Sequence, residues 1–428
     1  MKSTNINSTF DLINTLSKVA GFPFLPKEGR KGSGKKLSCG IKSSPFLLFY
    51  NCSLIIFLIL ITSCLIYFHF IHIIELEFIE DIHIFQISIT VSTGIINLII
   101  TSLKLRNNIY IMINKMSVLD NLLKTDNKMK LKYTHMSRKK IIFSVIAFII
   151  LVLCDFLIFT KGSLSFAYVL DIDLGLYIHM VILMQYVYFV CYIRERLVLL
   201  NSYIMTSKTI NVTSRKTLFS ELGIIQFDKT NCETFLSDEF IFPSEEKQTN
   251  AIISGASFTY FEYFKRQKLH FQLLRVAQES LCDICSIIND MYGFQILLLF
   301  ITIFTELTSN FYYQILCIAS FYGENSLLIL PSIWTMFYFT LIFVSTVVCH
   351  LASEEGNRSG VLLHRILLIP ELHSETVSEI KLFLHQVKYR KIKFTAWDIF
   401  TINLKILGSI AGAAITVLVI LVQFHKIV

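Results

Sequence analysis

Charged residues are scarce in this chain of 428 residues: Asp, Glu, Lys and Arg make up only 16% of it, while 54% is hydrophobic. Soluble proteins are usually about 25% charged, so there is too little polar material to cover two or three globular domains. Proline is also rare, with 6 residues, so few positions interrupt a helix. The composition excludes disordered, collagen-like, ordinary soluble and disulfide-rich secreted proteins, and it predicts a helical membrane protein.

Seven apolar runs have the length of about 20 residues that a helix needs to cross a bilayer core of about 30 Å. They cover 46–70, 82–103, 141–160, 174–193, 293–313, 327–350 and 404–424. The residues before the first run contain no short apolar core with a small-residue cleavage site, so the first span is expected to direct insertion itself. The sequence predicts an all-α integral membrane protein with seven transmembrane helices.

Basic residues orient these spans. Of 39 Lys and Arg residues, 36 lie in alternate segments beginning with the N-terminus. The first outer loop carries Glu75, Glu77, Glu80 and Asp81 without a base. The positive-inside rule therefore predicts a cytosolic N-terminus and an extracellular C-terminus. This orientation is the reverse of a G-protein-coupled receptor, and the Asp-Arg-Tyr and Asn-Pro-x-x-Tyr motifs of such receptors are absent.

The segments between the spans predict a largely cytosolic soluble part with a helical anchor layer. Residues 194–292 are expected to contain two helical extensions around a poorly ordered loop at 205–257, and residues 351–403 an amphipathic anchor helix. The predicted organisation is a cytosolic segment at 1–45, spans one to four at 46–193, cytosolic extensions at 194–292, spans five and six at 293–350, the anchor helix at 351–403, and the last helix with a short outer tail at 404–428.

Polar and aromatic residues in the outer halves of the spans predict a ligand pocket. A charge in hydrocarbon costs at least about 2.5–3.5 kcal/mol, so Asp155 and Glu306 are expected to face a cavity or a partner. Pro331, Trp334, Thr335 and Tyr338 share one helical face of span six, and His179 and Gln185 lie in span four. Sugars and polyols stack on aromatic rings and donate hydrogen bonds to carboxylates. The alternatives are an interfacial aromatic anchor and interhelical hydrogen bonds.

The last span has a stripe that predicts a pore. Gly408, Gly412, Ile415, Val419 and then Val422 or Gln423 recur at near-heptad spacing. Several copies around an axis would form a narrow apolar constriction, which can gate by dewetting. The alternative is close helix packing through small residues.

Other motifs predict no enzyme, metal site or cofactor. Cys282 and Cys285 form one C-x-x-C without a second pair, which is typical of two buried reduced thiols. The sequence lacks a phosphate-binding Gly-rich loop and a nucleophile elbow. The basic N-terminal segment is expected to contact anionic membrane lipids and no nucleic acid.

The C-terminus resembles a known family. Insect gustatory receptors end in Thr-Tyr, five apolar residues and Gln-Phe, and Thr416 to Phe424 matches this motif with Val417 in place of Tyr. The stretch SIAGAAITVLVILVQF, the run Cys349-His350-Leu351-Ala352 and the N-terminal SKVAGFPF are similar to the fructose-receptor branch.

This resemblance implies a homotetrameric, ligand-gated, nonselective cation channel in the plasma membrane, opened by a small polar ligand such as a sugar or polyol and permeable to monovalent and divalent cations. It implies that the last helix lines the pore and that Gln423 and Phe424 form the gate. Trp334 matches a tryptophan of the family's ligand pocket. Pro331 stands where the fructose branch has Gln, which removes an amide that could bind a sugar hydroxyl.

Three other functions stay open on the sequence. An odorant-type receptor for an apolar ligand shares much of this layout. A secondary transporter could use Asp155 and Glu306 as an ion relay. A metabotropic receptor would require a cytosolic C-terminus.

Overall fold

A computed structural model describes residues 45–72, 78–102, 106–123, 149, 166–221, 252–318, 329–369 and 372–425. Nearly all of them are helical. The helices are α1 (Pro45–His72), α2 (Phe78–Ile100), α3 (Arg106–Leu122), α4 (Phe166–Glu221), α5 (Ile252–Ile318), α6 (Ile329–Leu367), α7 (Ser374–Tyr389) and α8 (Lys405–His425). Two short strands, β1 (Thr395–Ala396) and β2 (Phe400–Thr401), precede α8.

Four of these helices contain a stretch long and apolar enough to cross a membrane. They are Gly175–Thr206, Gln267–Ile318, Pro331–Leu367 and Lys405–Phe424, and shorter apolar helices cover Tyr50–Ser63 and Phe85–Ile100. These six segments coincide with six of the seven predicted spans. The remaining span, at 141–160, lies outside the described residues apart from residue 149. The prediction of an all-α membrane fold is confirmed by the structural comparison given below.

Helices α4 and α5 extend well past the spans they contain. The sequence predicts these extensions, but it places a loop at 205–257, whereas α4 continues to Glu221 and α5 begins at Ile252. Neither extension contains proline, so nothing in the backbone chemistry stops the helix where the side chains become polar. The described ends of the predicted loop are therefore helical.

The anchor helix predicted at 351–403 is interrupted in the structure. Helix α6 ends at Leu367, three residues before Pro370, and α7 begins at Ser374. Proline disfavours the helical conformation of the residue before it, which accounts for the break. An antiparallel pair then follows, with Thr395 opposite Thr401 and Ala396 opposite Phe400.

The turn of this hairpin has an uncommon backbone. Trp397 and Asp398 adopt φ values of 49° and 55°. This left-handed region favours glycine and costs a bulky residue conformational energy. Two contacts offset the cost: Thr395 Oγ1 donates a 2.8 Å hydrogen bond to Asp398, and the Trp397 ring meets Phe294 with centroids 4.8 Å apart.

Close packing divides the chain into two units. The first comprises Met1–Glu195, Ser280–Glu354 and Ile392–Val428, and the second comprises Arg196–Glu279 and Glu355–Lys391. The aromatic core of the first unit is formed by Tyr186, Tyr292 and Phe394, which are almost fully buried. Tyr186 packs against Tyr292 and Phe394 with ring centroids 6.1 and 6.5 Å apart.

Small residues bring α2 and α4 together within the first unit. A side chain at Gly175 would place its Cβ 3.2 Å from Thr90 Cγ2, and one at Gly94 would lie 3.7 Å from the Gly175 Cα. Small residues let helix backbones approach this closely, and the contact at Gly175 is tighter than most Cβ contacts. The contact positions Thr90, on which the candidate site depends.

Polar contacts between α5 and α7 stabilise the second unit. Arg275 donates a 2.6 Å hydrogen bond to Glu379, whose side chain is 6% exposed. Lys268 donates to Glu375 at 3.0 Å and holds the pKa of that carboxyl below its usual value. Asn201 on α4 connects to α6, donating to Glu355 at 2.8 Å and accepting from Ser359 at 2.6 Å.

Candidate functional site

A buried carboxylate lies in the first unit. Glu306 on α5 is only 3% exposed. Its oxygens accept hydrogen bonds from Thr90 Oγ1 at 2.7 Å and from Gln86 Nε2, both on α2. The Tyr338 hydroxyl on α6 is a third donor. These described partners are all neutral, so the carboxylate is held by hydrogen bonds from two neighbouring helices.

An aromatic pair extends this cluster along α6. Trp334 and Tyr338 are one turn apart, and their rings stack with centroids 5.5 Å apart and an angle of 27° between the planes. Both side chains are at least nine-tenths buried. The structure therefore brings together Glu306, Trp334 and Tyr338, three of the residues predicted from the sequence. They are called the acid–aromatic cluster below.

Thr335 has hydrogen-bond partners outside the acid–aromatic cluster. Its hydroxyl donates to the Pro331 carbonyl at 2.7 Å and consequently accepts from Gln314 Nε2 at 2.8 Å. Thr335 thus connects α6 to the end of α5. Gln314 was not predicted, because a lone glutamine at the end of a span carries no distinctive spacing.

The two predicted residues on α4 occupy other surroundings. Gln185 accepts a 3.1 Å hydrogen bond from Tyr292 and so belongs to the aromatic core. His179 is 2% exposed and its Nδ1 lies 2.7 Å from the Gly175 carbonyl. Asp155, the other predicted acid, lies outside the described residues.

Sequence reasoning missed Gln86 and Thr90. They belong to a row of polar residues on α2 spaced three and four apart, as on one face of a helix. The row comprises Gln86, Thr90, Thr93, Asn97 and, one residue past the end of α2, Thr101, and all five are buried. Their spacing is readable in the sequence, but single amides and hydroxyls in an apolar run carry less signal than a carboxylate.

The stripe predicted on the last helix lies on an exposed face of α8. Ile415 and Val419 are 62% and 50% exposed. A Cβ added at Gly408 or Gly412 would meet no described atom within 4 Å. Of the most apolar stretch of α8 only 6% is buried, against 78% for that of α4.

Gln423 and Phe424 lie on different sides of α8. Successive residues of an α-helix turn by about 100°, so Gln423 stays close to the face of Val419, four residues earlier. Phe424 falls on the side of Ala413, three turns earlier. Ala413 lines a contact with α5, whereas Phe424 itself is 57% exposed.

That contact is an apolar groove of about 260 Å³ in the first unit. Phe300, Ile301 and Phe304 of α5 form one wall, and Ser409, Ile410 and Ala413 of α8 form the other, with Leu297 and Phe400 completing the lining. The rings of Phe400 and Phe300 are 5.7 Å apart. The groove lies between α8 and α5.

The two cysteines of the C-x-x-C motif are buried thiols. Cys285 Sγ donates to the Lys393 carbonyl at 3.3 Å. Among the residues that the structure describes, no group of three or more potential metal ligands occurs.

Comparison with known proteins shows which sequences this chain resembles. Residues 247–427 match the family described as 7tm Chemosensory receptor. Two Drosophila melanogaster proteins are similar in sequence. The gustatory receptor for sugar taste 43a is 26% identical over 163 residues. The putative gustatory receptor 2a is 23% identical over 172 residues. The aligned region covers 38% and 40% of the length of these two relatives.

The likeness in fold extends over almost the whole chain. The olfactory receptor OR5 of Machilis hrabei in complex with eugenol superposes with a TM-score of 0.63 at 14% identity, covering 98% of both chains. The same receptor in another structure gives 0.62 with the same coverage. The resemblance to insect chemoreceptors, stated above from the C-terminal motif, is confirmed.

Proposed function

We propose that this chain, whose residues 247–427 carry the sequence pattern of the chemosensory receptors, is a gustatory receptor that acts as a ligand-gated cation channel of the plasma membrane. The family consists of chemoreceptors, not enzymes. The ligand class, the permeant ions, the seven-span topology and the tetrameric assembly are parts of the proposal.

The acid–aromatic cluster carries the proposal of a sugar or polyol ligand. A carboxylate beside two stacked rings offers a strong acceptor for hydroxyl groups and a flat apolar surface for their C–H faces. These groups lie on α5 and α6, and Gln86 and Thr90 on α2 are further polar contacts. Asp155 is proposed as a second acid of the same pocket. The sugar-taste relative supports this class of ligand.

The experiment is to express the chain alone and record whole-cell current. The panel contains monosaccharides, linear polyols and eugenol, and cells without the chain are the control. We expect an inward cation current evoked by at least one sugar or polyol. A chain that reaches the plasma membrane and responds to none of them contradicts the proposed ligand class.

An odorant-type receptor for an apolar ligand is the second candidate. It is favoured by the likeness in fold to an olfactory receptor solved with eugenol. Current evoked by eugenol and by no polyol would decide for it. A secondary transporter, the third candidate, predicts saturable solute uptake without channel-sized current.

The exposed last helix supports assembly around a pore. An apolar helix of which 6% is buried in its own chain can pack against other copies, and small residues such as Gly408 and Gly412 permit close approach. We therefore place Ile415, Val419, Val422 and Gln423 on the pore side of a homotetramer. Native mass spectrometry of the purified protein tests the stoichiometry.

Topology is tested separately. The proposed orientation has the N-terminus in the cytosol and the C-terminus outside. Epitope tags at each end, stained in intact and permeabilised cells, should show the C-terminal tag in both and the N-terminal tag only after permeabilisation. A C-terminal tag stained only after permeabilisation would favour a metabotropic receptor.

A further inference from the structure

The row of polar residues on α2 continues as a buried seam between α2 and α5. The facing residues on α5 are Gln295, Thr302 and Glu306, and none of the eight side chains is more than 9% exposed. Thr93 and Thr302 connect the two helices through a 2.9 Å hydrogen bond. From Gln86 to Thr101 the seam follows α2 for about 22 Å, at 1.5 Å of rise per residue.

The Asn97 end of the seam contains buried amide atoms without a partner among the described residues. Gln295 Nε2 donates to the Asn97 carbonyl at 3.3 Å and to Thr101 Oγ1 at 2.9 Å. Because a carbonyl only accepts, this nitrogen assignment is fixed, and Gln295 Oε1 is the atom left over. Gln295 Oε1, Asn97 Oδ1 and Asn97 Nδ2 have no hydrogen-bond partner among the described residues.

His179 adds another such atom on the α4 side. Its Nδ1 donates to the Gly175 carbonyl, which leaves Nε2 of the neutral ring as an acceptor. This Nε2 is buried and has no partner within the described part of the chain. The ring lies against Gly94, where an added Cβ would be 3.8 Å from His179 Cε1. Gly94 precedes Asn97 by about one turn of α2.

The unpaired atoms include both donors and acceptors, and this combination determines which ligand fits them. A cation can satisfy Asn97 Oδ1 and Gln295 Oε1, but it would repel the amide hydrogens on Asn97 Nδ2. A water molecule donates and accepts, so it satisfies all the atoms. Buried polar groups in proteins are almost always paired, with protein or with ordered water, and a buried water makes about three hydrogen bonds.

We propose that Asn97, Gln295 and His179 form an internal water site within the seam, about three turns of α5 from Glu306 of the acid–aromatic cluster. The bound water joins α2 to α5 where no direct side-chain amide pair does. A contact of this kind tolerates displacement of α5 along α2, because water exchanges partners more readily than a direct amide pair.

The decisive measurement is cryo-electron microscopy of the full chain in lipid nanodiscs, at a resolution that shows ordered water. We expect density within hydrogen-bond distance of both Asn97 and Gln295 Oε1. Absence of density at that resolution overturns the proposal. Density surrounded only by oxygen atoms, with Asn97 Nδ2 turned away, identifies a cation and overturns it as well.

A pair of substitutions tests the same point by stability. Asn97→Leu displaces the water and leaves Gln295 Oε1 unsatisfied, whereas Asn97→Ala leaves room for another water. A hydrated site therefore predicts that Asn97→Ala unfolds at a higher temperature than Asn97→Leu. A dry site predicts the reverse order, because leucine fills the space that alanine leaves as a cavity.

Thr346→Val is the matched control. Thr346 is fully buried on α6, and its hydroxyl donates to the α6 carbonyls of Ile342 and Phe343. Its replacement should leave the unfolding temperature close to that of the wild type. If Asn97→Leu fails to fold while Asn97→Ala folds, the order is that of a hydrated site. The stability order is measured without ligand, so it does not depend on the proposed channel function.

Discussion

Trp334 and Tyr338 stack one turn apart on α6, with ring centroids 5.5 Å apart, and Tyr338 also donates a hydrogen bond to the buried carboxylate of Glu306. One phenol thus connects the aromatic surface of the cluster to its acid. A ligand that contacts either ring is therefore close to a strong hydrogen-bond acceptor.

Replacing Trp334 with leucine should weaken the ligand response. Loss of the stacked indole surface is expected to raise the half-maximal ligand concentration about tenfold, because aromatic stacking contributes about 0.5–1.5 kcal/mol beyond area burial. Concentration–response curves of the evoked current measure this shift. The chain has 2 Trp residues, and the other, Trp397, is 60% exposed on the hairpin. Trp397→Leu should leave the ligand concentration unchanged; equal shifts in both variants would contradict a specific role of Trp334.

Replacing Glu306 with glutamine removes the charge and keeps the shape. Hydrogen bonds to charged groups contribute about 1.5–3 kcal/mol, so we expect ligand potency to fall about 10- to 100-fold. The surface level of the protein is measured in parallel by biotinylation. Glu375→Gln, at an exposed site on α7, serves as the control. An unchanged potency with normal surface expression would remove Glu306 from the pocket.

Gln423→Ala and Phe424→Ala should have different effects on the closed state of the proposed channel. Gln423 lies near the face of Val419, whereas Phe424, which is itself 57% exposed, lies on the side of Ala413. We expect Gln423→Ala to raise the ligand-independent current, and Phe424→Ala to change it less. Recording both variants without ligand tests the assignment. A larger leak in Phe424→Ala would place Phe424 at the gate, as the family resemblance implies.

Breaking the Arg275–Glu379 pair should destabilise the second unit. Glu379 is 6% exposed, so Arg275→Met leaves a buried carboxylate without its charged donor. The expected loss is about 1.5–3 kcal/mol of unfolding free energy. Lys268→Met, at an ion pair on the same two helices that is 39% and 59% exposed, should cost less than about 1 kcal/mol. Thermal unfolding in detergent compares them, and equal losses would contradict the dependence on burial.

A methyl group at Gly293 should displace the hairpin. The added Cβ would lie 3.0 Å from the Trp397 nitrogen and 3.4 Å from the Thr395 carbonyl oxygen, and these are backbone atoms that cannot rotate away. Gly293→Ala is therefore expected to lower the unfolding temperature. Gly408→Ala, with no described atom within 4 Å of its Cβ, should keep or raise it, since alanine favours helix. A Gly293→Ala protein as stable as the wild type would show that the hairpin is free to move.

Much of this arrangement could be predicted from the sequence, because a membrane-spanning segment must be long and apolar and because a charge within it is costly. Length and polarity alone located six of the described apolar helices. The cost of a charge in an apolar run identified Glu306, and helical spacing placed Trp334 and Tyr338 on one face. These predictions rest on local patterns, because a membrane requires the backbone of each spanning segment to satisfy its own hydrogen bonds as a helix.

Other features depended on contacts between distant segments. The hairpin at 395–401 is stabilised by Asn289, which donates to the Lys393 carbonyl at 2.7 Å and accepts from the Thr395 amide at 3.2 Å. Nothing near Trp397 in the sequence indicates a left-handed backbone there. Gln185 and His179 have side chains suited to a pocket, but the packing of α4 against its neighbours decided their partners.

The exposure of α8 has a consequence for which chains can associate in the proposed assembly. In lipid, an unassembled chain keeps this helix surrounded by acyl tails, so leaving lipid for a neighbouring subunit brings little hydrophobic gain. Selectivity then depends on how well small side chains such as Gly408 and Gly412 fit the surface they meet. If the proposed ring forms, a related chain with a matching last helix is expected to enter it, and co-expression would then give assemblies of mixed composition.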